Sequence, residues 1–524
     1  MAKNLSELLK EKLNIYIAGE FTNYLGLIGE YKAWYQGFVK SFHEYKEGKT
    51  KKKARIAQMR MGKTVAETWA SLVINENTTF NFTGEKAESV RKLIIGDKDS
   101  QRGGIFGDSR LWMNLNKWSE KVYGYAGSGL LVAYIENADA YDIRSEDEIK
   151  AGVRPLYNLK ANDETRIKVK FAPADQILPI SYTDDGLDEV AIVGQKMWKG
   201  KNYIHLELHQ HSPLLDEQGR PQYRISNIFV SKDIRTNELT IQDGLCGEMG
   251  LIESMDIPAK MFSDIWNAAK PNNLYPDLPF AMPMIAQACD QLAQCDIAFN
   301  NSMVDVKLGK KRVFIQQDYI ATAIRKDADG KERIIATEGD ELFTPVPTMD
   351  EMDKNFIKEY NPQLRTEENN KAVNAALGLL SFKCGLGKNY FKLDETGQHA
   401  TAYAVKTSNA DLEYNVQRQR TIVIEVWNSF CRQLVDIARA IDYRLAGELP
   451  ESDKFETQIN FDDGALRDPT AERERDLREV AAGVLTREEF RVRWYNETID
   501  EAKKALESIP LQPSLADLYR DGGI

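Results

Sequence analysis

Residues 365–445 read RTEENNKAVNAALGLLSFKCGLGKNYFKLDETGQHA up to residue 400 and TAYAVKTSNADLEYNVQRQRTIVIEVWNSFCRQLVDIARAIDYRL from residue 401. In the first part, valine, alanine and leucine recur at the three-to-four-residue spacing of a helix. Thr366 is placed to cap that helix, and Glu367 lies near the positive end of its dipole. Gly385 and Gly387 follow. We therefore predict a helix that ends in a glycine-bearing break.

A polar loop and a very long helix follow these glycines. The loop, residues 388–399, carries two lysines, an aspartate and a glutamate. Residues 401–446 contain no glycine or proline, and their apolar side chains form a regular helical stripe. Unbroken, such a helix measures roughly 65 Å. That length exceeds what a small globular core needs, and it indicates a scaffold, a coiled coil or a subunit that packs beside copies of itself.

The composition is that of a large protein without a membrane span. The 524 residues suffice for two to four domains, and 42% hydrophobic with 28% charged residues is an ordinary soluble mixture. No apolar run approaches the length of a membrane helix, and the N-terminus lacks the apolar core of a secretion signal. We expect a cytosolic product. Five cysteines without a C-x-x-C pair argue against a disulfide framework or a zinc ribbon.

The net charge of −11 bears on nucleic-acid binding. A domain that reads DNA sequence is usually basic. An acidic protein can still handle DNA if it must avoid gripping it, because phosphate contacts supply most of the non-specific affinity. The charge therefore disfavours a tight, static DNA binder and excludes little else.

A short stretch near the N-terminus matches a nucleotide-binding motif, but the residues before it do not fit such a site. Gly62-Lys63-Thr64, with Ala57 before it, fits a relaxed phosphate-loop pattern, A-x-x-x-x-G-K-T. Such a loop needs an apolar strand directly before it, so that a helix N-terminus faces the phosphates. Here the preceding residues are basic, and the chain around Met59 already has helical character. We interpret the basic run of residues 49–60 as a solvated loop and helix face rather than a nucleic-acid contact.

A histidine-bearing strand lies in the β-rich part, residues 165–232. Alternation there places four polar side chains on one face, in metal-like spacing: His205, Glu207, His209 and His211. The alternative is the solvent face of a half-buried sheet. We favour the alternative, since nothing distant in sequence supplies an obvious fourth ligand.

Another long helical stripe is predicted from Ile285 to Val306. It ends in cations and a glycine, which suit a helix C-terminus. A strand at residues 313–315 and a small insert to residue 347 follow, and Thr348 with Glu351 form a capping box for a short helix. Further on, residues 455–461 alternate as a strand, residues 468–508 form three short charged helices, and a poorly ordered tail is expected from Pro510.

Several stretches together carry a family resemblance. They are WYQG (34–37), AETWASL (66–72), FAPADQILPI (171–180), DIAF (296–299) through KKRVF (310–314), LSFKCG (380–385), FDD (461–463), RERDL (473–477) and WY (494–495). With these stretches the chain resembles the portal proteins of long-tailed double-stranded DNA phages, of the type found in phages of Gram-positive hosts. No single motif is diagnostic, but the stretches span nearly the whole chain.

The resemblance implies an α+β, mainly helical portal fold in a ring, usually of twelve subunits, at one capsid vertex. It also implies domain bounds. They are a wing (1–283), a descending stem helix (284–309), a clip (310–347), an ascending stem helix (348–384), a tunnel loop (385–400), a long kinked wing helix with a strand (401–467), and a short crown with a tail (468–524).

The same resemblance implies a structural role without catalysis or cofactor. DNA passes through the ring during packaging and ejection, while the terminase hydrolyses ATP and docks on the clip. The expected partners are further copies of the chain, the major capsid and scaffolding proteins, the large terminase, a head–tail adaptor and double-stranded DNA held non-specifically. The expected location is the portal vertex of the virion, with the host cytoplasm during assembly.

Two sets of candidate residues follow. The tunnel-loop set would meet DNA, its lysines touching phosphates transiently while nearby acids keep the grip weak: Lys383, Lys388, Asn389, Lys392, Asp394 and Glu395. A basic cluster joins stem and clip: Lys307, Lys310, Lys311 and Arg312. The loop lysines have an alternative interpretation as a solvated loop face. Two alternative functions are an ATP-dependent DNA translocase using Gly62-Lys63-Thr64 and a metal-dependent hydrolase at His205, His209 and His211.

Overall fold

A computed structural model describes the chain except for a set of short segments. These are residues 1, 48–51, 76, 97–102, 152–153, 184–185, 217–218, 234, 317–322, 327–331, 336–342, 347–356, 389, 394–401, 462–468, 496–498 and 508–524. The chain divides into two compact units, Met1–Asn460 and Phe461–Ile524. Among the described residues, helix accounts for 45% and strand for 26%. The chain is therefore a mixed α and β protein, and helix makes up less than half of it rather than predominating.

The first unit contains helices and two long runs of consecutive strands. Its helices are α1 (Ala2–Leu13), α2 (Gly19–Gln36), α3 (Lys40–His43), α4 (Met61–Val73), α5 (Ala87–Ile94), α6 (Gly104–Asp108), α7 (Leu111–Lys121), α8 (Glu146–Lys150), α9 (Leu245–Glu248), α10 (Cys289–Leu308), α11 (Thr366–Lys383) and α12 (Ala402–Ala440). Its strands are β1 (Glu44–Glu47), β2 (Lys52–Arg55), β3 (Thr79–Gly84), β4 (Ser128–Glu136), β5 (Asp139–Asp142), β6 (Tyr157–Lys160), β7 (Arg166–Pro173), β8 (Ile177–Thr183), β9 (Gly186–Trp198), β10 (Lys201–Leu215), β11 (Pro221–Lys232), β12 (Leu239–Ile241), β13 (Ser254–Ile257), β14 (Trp266–Asn267), β15 (Arg312–Gln316), β16 (Ala323–Lys326), β17 (Glu332–Ile335), β18 (Phe343–Val346), β19 (Ile357–Tyr360) and β20 (Phe455–Asn460).

An eight-stranded sheet dominates the β-rich part. Its strand order is β5-β6-β13-β11-β10-β9-β8, and β12 pairs with β11 outside this path. Strands β8 to β11 form an antiparallel meander, in which Leu206 pairs with Val193 on one side and Ile228 on the other. A smaller sheet has the order β14-β4-β7. The predicted β-rich part, residues 165–232, is confirmed.

The main core forms where α1 and α2 pack on the large sheet. Phe21, Tyr24 and Ile28 of α2 are fully buried, and they share one apolar cluster with Leu206 of β10. The ring centroids of Phe21 and Phe280 lie 5.0 Å apart. Each such side chain contributes about 1.5–3 kcal/mol when fully buried, so this contact is a principal source of stability.

The paired helices α10 and α11 run antiparallel. Near one end, Asp305 accepts hydrogen bonds from Arg365 (2.8 Å) and Asn369 (3.1 Å). Strands β15 to β19 lie between these helices in the chain, and β15 pairs with both β18 and β19. The predicted strand at 313–315 is confirmed. The capping box of Thr348 and Glu351 lies outside the described residues, and β19 stands where the ascending helix was expected to have begun.

The long helix α12 packs through a buried stripe. Trp427 is fully buried among aromatic rings, with centroids 5.2 Å from Phe80 and 5.6 Å from Phe106. The predicted helix is confirmed but ends at Ala440 rather than 446. Asp442 and Arg444 have positive φ angles of 58° and 46°, which a continuing helix excludes.

The basic run after α3 differs from its prediction. Residues 44–47 and 52–55 form the β1–β2 hairpin, with Glu44 opposite Arg55, so part of the run lies on a strand. The interpretation as a loop and helix face was therefore wrong for these residues. The sequence of this hairpin has a low strand propensity, but opposite charges on facing residues stabilise the pairing of its two strands.

The second unit contains the three predicted short helices. They are α13 (Pro469–Ala481), α14 (Arg487–Tyr495) and α15 (Ile499–Glu507). Thr486 and Glu489 form a capping box before α14: the Glu489 amide donates to Thr486 Oγ1 (3.2 Å), and the Thr486 amide donates to Glu489 Oε2 (2.9 Å). Asp476 is buried and accepts a hydrogen bond of 2.9 Å from Trp494 Nε1. The predicted tail lies outside the described residues.

Candidate functional site

The loop after α11 starts from a tight glycine turn. Gly385 and Gly387 have φ angles of 78° and 84°, in the left-handed region that favours glycine. Between them, Leu386 is buried, and its amide donates to the Ser381 carbonyl at 3.0 Å. This bond satisfies a carbonyl at the helix end. The predicted glycine break is confirmed and has a local cause.

The first part of the loop folds back along α11. The Phe391 amide donates to Ser381 Oγ (3.1 Å), and the Leu393 amide donates to Asn374 Oδ1 (2.9 Å). At the base, Asn415 Nδ2 of α12 donates to the Gly385 carbonyl at 2.9 Å. These contacts tie the loop to both long helices.

The structure places each of the three loop lysines, Lys383, Lys388 and Lys392, at an exposed position. Within the described part of the chain, none of them pairs with a carboxylate. Asn389, Asp394 and Glu395 lie outside the described residues. Exposed, unpaired ammonium groups suit phosphate contact and equally suit a solvated loop face.

The basic cluster at the far end of the helix pair is partly neutralised. Lys307 and Lys310 are exposed at the end of α10, and Arg312 is half-buried on β15. Lys311 forms an ion pair with Glu359 of β19. The four cations thus lie close in sequence, but one of them joins two strands.

Two adjoining cavities lie at the base of the loop, and neither was predicted from the sequence. Their volumes are about 250 and 470 Å³, and both are lined by Lys270 and Arg418. Lys270 Nζ donates to the carbonyls of Met284 (3.3 Å) and Lys383 (3.2 Å). Burial lowers the pKa of Lys270 because the charged form loses hydration. Contacts between segments so distant in sequence produce no local pattern.

Gly62-Lys63-Thr64 is engaged in packing. These residues lie in the first turn of α4, and a Cβ on Gly62 would stand 2.5 Å from the Trp34 carbonyl oxygen. Lys63 forms ion pairs with Glu67 (2.9 Å) and Glu120. Burial opposes the charge, but the hydrogen bonds that Lys63 donates to Glu120 and Glu67 raise its pKa above the usual value. The glycine and the lysine therefore both have structural roles.

The three histidines of β10 each have a different partner. His205 Nε2 lies 2.8 Å from Asn227 Oδ1, His209 Nε2 lies 2.9 Å from Glu207 Oε1, and His211 Nε2 lies 2.9 Å from Asp188 Oδ1. Among the described residues, no group of three or more His, Cys, Asp or Glu side chains is placed to hold a metal ion.

Glu207 and His209 are buried, so the interpretation of their face as solvent-exposed was wrong. Lys170 of β7 forms an ion pair with Glu207, and the His209 ring lies 5.5 Å from that of Phe262. The second, smaller sheet covers this face of β10. Burial would raise the pKa of Glu207, but Lys170 and His209 hold it well below its usual range.

A buried polar contact anchors α10, and it was also missed from sequence. His43 Nε2 lies 3.0 Å from Asp296 Oδ2, and the Met59 amide donates to Asp296 Oδ1 at 2.6 Å. One turn further, Asn300 Oδ1 accepts from the Ala57 amide at 3.0 Å. The segment between β2 and α4 thus docks on the first half of α10.

Comparison with known proteins leaves the family open. No protein-family model matches the chain, and no curated protein matches it. Within the described residues, no helix combines the length and the apolar character that crossing a membrane requires.

Proposed function

We propose that this chain is a phage portal protein, a structural ring through which DNA is packaged and ejected. Two things support this proposal: the resemblance of the stretches quoted above to portal proteins, and the order of helices and strands along the chain. A helix, a group of short strands, a returning helix, a glycine-bearing loop and a very long helix follow one another from residue 289 to residue 440.

The observation that carries the proposal is the antiparallel pair of α10 and α11, with its two different ends. Strands β15 to β19 connect the helices at the end marked by Asp305 and Arg365. At the other end, the Trp69 indole donates to the Cys384 carbonyl at 3.0 Å, and the loop bearing the lysines begins. In a ring, such a pair serves as a stem that links a clip to a wing.

Apolar side chains exposed along the helix pair support assembly with further copies. Ile297, Val304 and Leu308 are spaced seven and four residues apart on α10, and each is at least 40% exposed. On α11, Leu379 and Phe382 are 50% and 58% exposed. Aligned exposed apolar residues mark interaction surfaces, and a head-to-tail contact between two different faces closes into a ring.

The loop lysines have a defined role in this proposal. Lys383, Lys388 and Lys392 meet phosphates transiently as DNA passes, and the net charge of −11 keeps the chain from holding DNA tightly. Sliding requires such a weak grip.

The remaining parts of the proposal concern partners. The strands between α10 and α11 form the clip that meets the large terminase and the head–tail adaptor. Residues 1–283 form the wing facing the major capsid and scaffolding proteins, and α13 to α15 form a short crown. The protein itself hydrolyses no ATP, and it resides at the portal vertex of the virion. The contacts of Lys63 and of the three histidines favour neither a translocase nor a hydrolase.

Substitution on the exposed helix faces tests the assembly. Phe382→Asp places a charge in the proposed subunit contact, whereas Met197→Asp places one on an equally exposed apolar residue of β9. We expect size-exclusion chromatography with light scattering to show a large oligomer for the unchanged chain and for Met197→Asp, but smaller species for Phe382→Asp. Equal masses for all three contradict the use of this face.

A further inference from the structure

The smaller cavity at the base of the loop is lined by cations and hydrogen-bond donors. Lys270 and Arg418 are its charged lining residues, and no carboxylate lines it. Its volume of about 250 Å³ admits a group the size of a phosphate. Arg418 is exposed at the mouth, and no described residue forms an ion pair or hydrogen bond with its guanidinium. A guanidinium without an internal partner is available to an external one.

Lys270 has hydrogen-bonding capacity left over. Its ammonium donates to two carbonyl oxygens, at 3.2 and 3.3 Å, and carries three protons. Neither of these partners carries a formal charge, and Lys383 lies near enough to disfavour the ammonium further. A half-buried ammonium without a carboxylate gains stability from an anion that enters its cavity.

Gln419 adds a neutral hydrogen-bond donor to the lining. Its side chain is 3% exposed and lines the same cavity. Its Oε1 accepts the Ala269 amide at 2.9 Å, which fixes the orientation of the carboxamide. The Nε2 group at the other end of the carboxamide can donate two hydrogen bonds. A fixed amide donor beside two cations suits an anionic acceptor in the cavity.

We propose that Lys270, Arg418 and Gln419 form a binding site for one phosphate group at the base of the 385–393 loop. The guanidinium of Arg418 binds two phosphate oxygens at the mouth. The ammonium of Lys270 and the Nε2 group of Gln419 donate from within. The phosphate is either a free anion or a phosphodiester of DNA that passes the loop. The site rests on the cavity alone and does not require the ring.

Bound phosphate would link three segments of the chain. Lys270 precedes the 271–283 segment, Arg418 and Gln419 belong to α12, and the Lys383 carbonyl ends α11. Asn415, which also lines the cavity, already donates to Gly385. Bound phosphate would therefore hold the start of the loop in place. Because phosphate binds the folded chain, we expect it to raise the midpoint of thermal unfolding by mass action.

Isothermal titration of the purified full chain with inorganic phosphate, in chloride buffer at low salt, tests the site. Arg418→Gln removes the mouth cation, and Gln419→Glu keeps the bond to Ala269 but replaces a donor by a negative charge. Arg439→Gln is the matched control, since Arg439 is an exposed arginine of the same helix outside the cavity. Loss of one charged hydrogen bond corresponds to roughly ten-fold weaker binding or more. Each variant's thermal midpoint in phosphate-free buffer shows that it folds.

A second arm uses a 30-base-pair duplex, with binding followed by fluorescence anisotropy. If both site variants weaken binding of phosphate and DNA, and phosphate competes with DNA, the site takes a backbone phosphate. If only phosphate binding weakens, the site takes a free anion. If DNA binding alone weakens, the site exists and requires a phosphodiester. If neither ligand distinguishes the site variants from Arg439→Gln, the proposal is overturned, and Lys270 serves only to cap α11.

Discussion

Nε2 of His43 lies 3.0 Å from Oδ2 of Asp296, although 253 residues separate them in the chain. Both side chains are almost completely buried, and Asp296 also accepts the Met59 amide. The pair joins the segment before α4 to α10. Because a buried carboxylate is stable only when its hydrogen bonds are made, this contact fixes the position of α10 against the segment before α4.

Removing the Asp296 carboxylate is expected to destabilise the first unit. Asp296→Ala leaves His43 and the Met59 amide without their partner, which costs about 2–4 kcal/mol. Asp296→Asn keeps an oxygen for the Met59 amide and is expected to cost less. Thermal unfolding followed by circular dichroism measures both shifts. Asn301→Ala, at an exposed position of α10, is the control, and a shift no larger than that of the control would falsify the anchoring role.

The Glu207 contact predicts a dependence of stability on pH. The pKa of Glu207 is held below the usual value of 4.5 by Lys170 and His209, in spite of burial. The unfolded chain then binds the proton more readily, so the contribution is complete above about pH 4.5 and decreases as the pH falls below it. Urea unfolding midpoints between pH 3 and 7 measure this loss.

Two variants distinguish the pH-dependent contribution of Glu207 from that of the other carboxylates. Glu207→Gln is expected to flatten the pH dependence below about pH 4.5. Lys170→Met leaves Glu207 buried without its cation and is expected to cost about 1–3 kcal/mol at pH 7, a value reduced because Lys170 is partly exposed. Unchanged pH profiles in Glu207→Gln would show that the pair carries no acid-dependent stability.

If Gly62 serves packing rather than phosphate binding, its substitution lowers stability and no ATP hydrolysis depends on the lysine beside it. Gly62→Ala drives a methyl group against the Trp34 carbonyl oxygen, 2.5 Å away, and is expected to lower stability by about 1–3 kcal/mol. We expect no ATP hydrolysis by the purified chain, either before or after Lys63→Ala. Hydrolysis that Lys63→Ala abolishes would restore the translocase hypothesis.

The loop lysines predict weak, salt-dependent binding of DNA. Replacing Lys383, Lys388 and Lys392 together by glutamine is expected to reduce the affinity for a 30-base-pair duplex equally for different sequences. Each lost phosphate contact lowers the slope of log affinity against log salt by about 0.9. Lys371→Gln, on an exposed position of α11, is the control. If the triple variant and the control keep the same slope, the lysines are a solvated loop face.

The long helices were predictable because their signals are local. The apolar stripe of α12 and the glycines after α11 are contained in short windows of sequence, and both elements are confirmed. The end of α12 was not predictable, since residues 441–446 include no glycine or proline. Positive φ angles at Asp442 and Arg444 end it instead.

The candidate sites were harder to predict, because they depend on contacts between distant segments. Alternation on β10 indicated which side chains share a face, but it gave no sign that a second sheet buries Glu207 and His209. Likewise, Lys270 and Arg418 are ordinary basic residues in the sequence and meet only in the folded chain. The loop lysines were predicted as DNA contacts from the family resemblance alone. The structure adds only that their side chains are exposed.

The most direct measurement of the central claim is the mass and shape of the purified chain in solution, by native mass spectrometry with negative-stain electron microscopy. If the chain is a portal protein, we expect rings with a central hole and a mass of about twelve times 59.6 kDa. A monomer or a compact dimer at every protein concentration would contradict it.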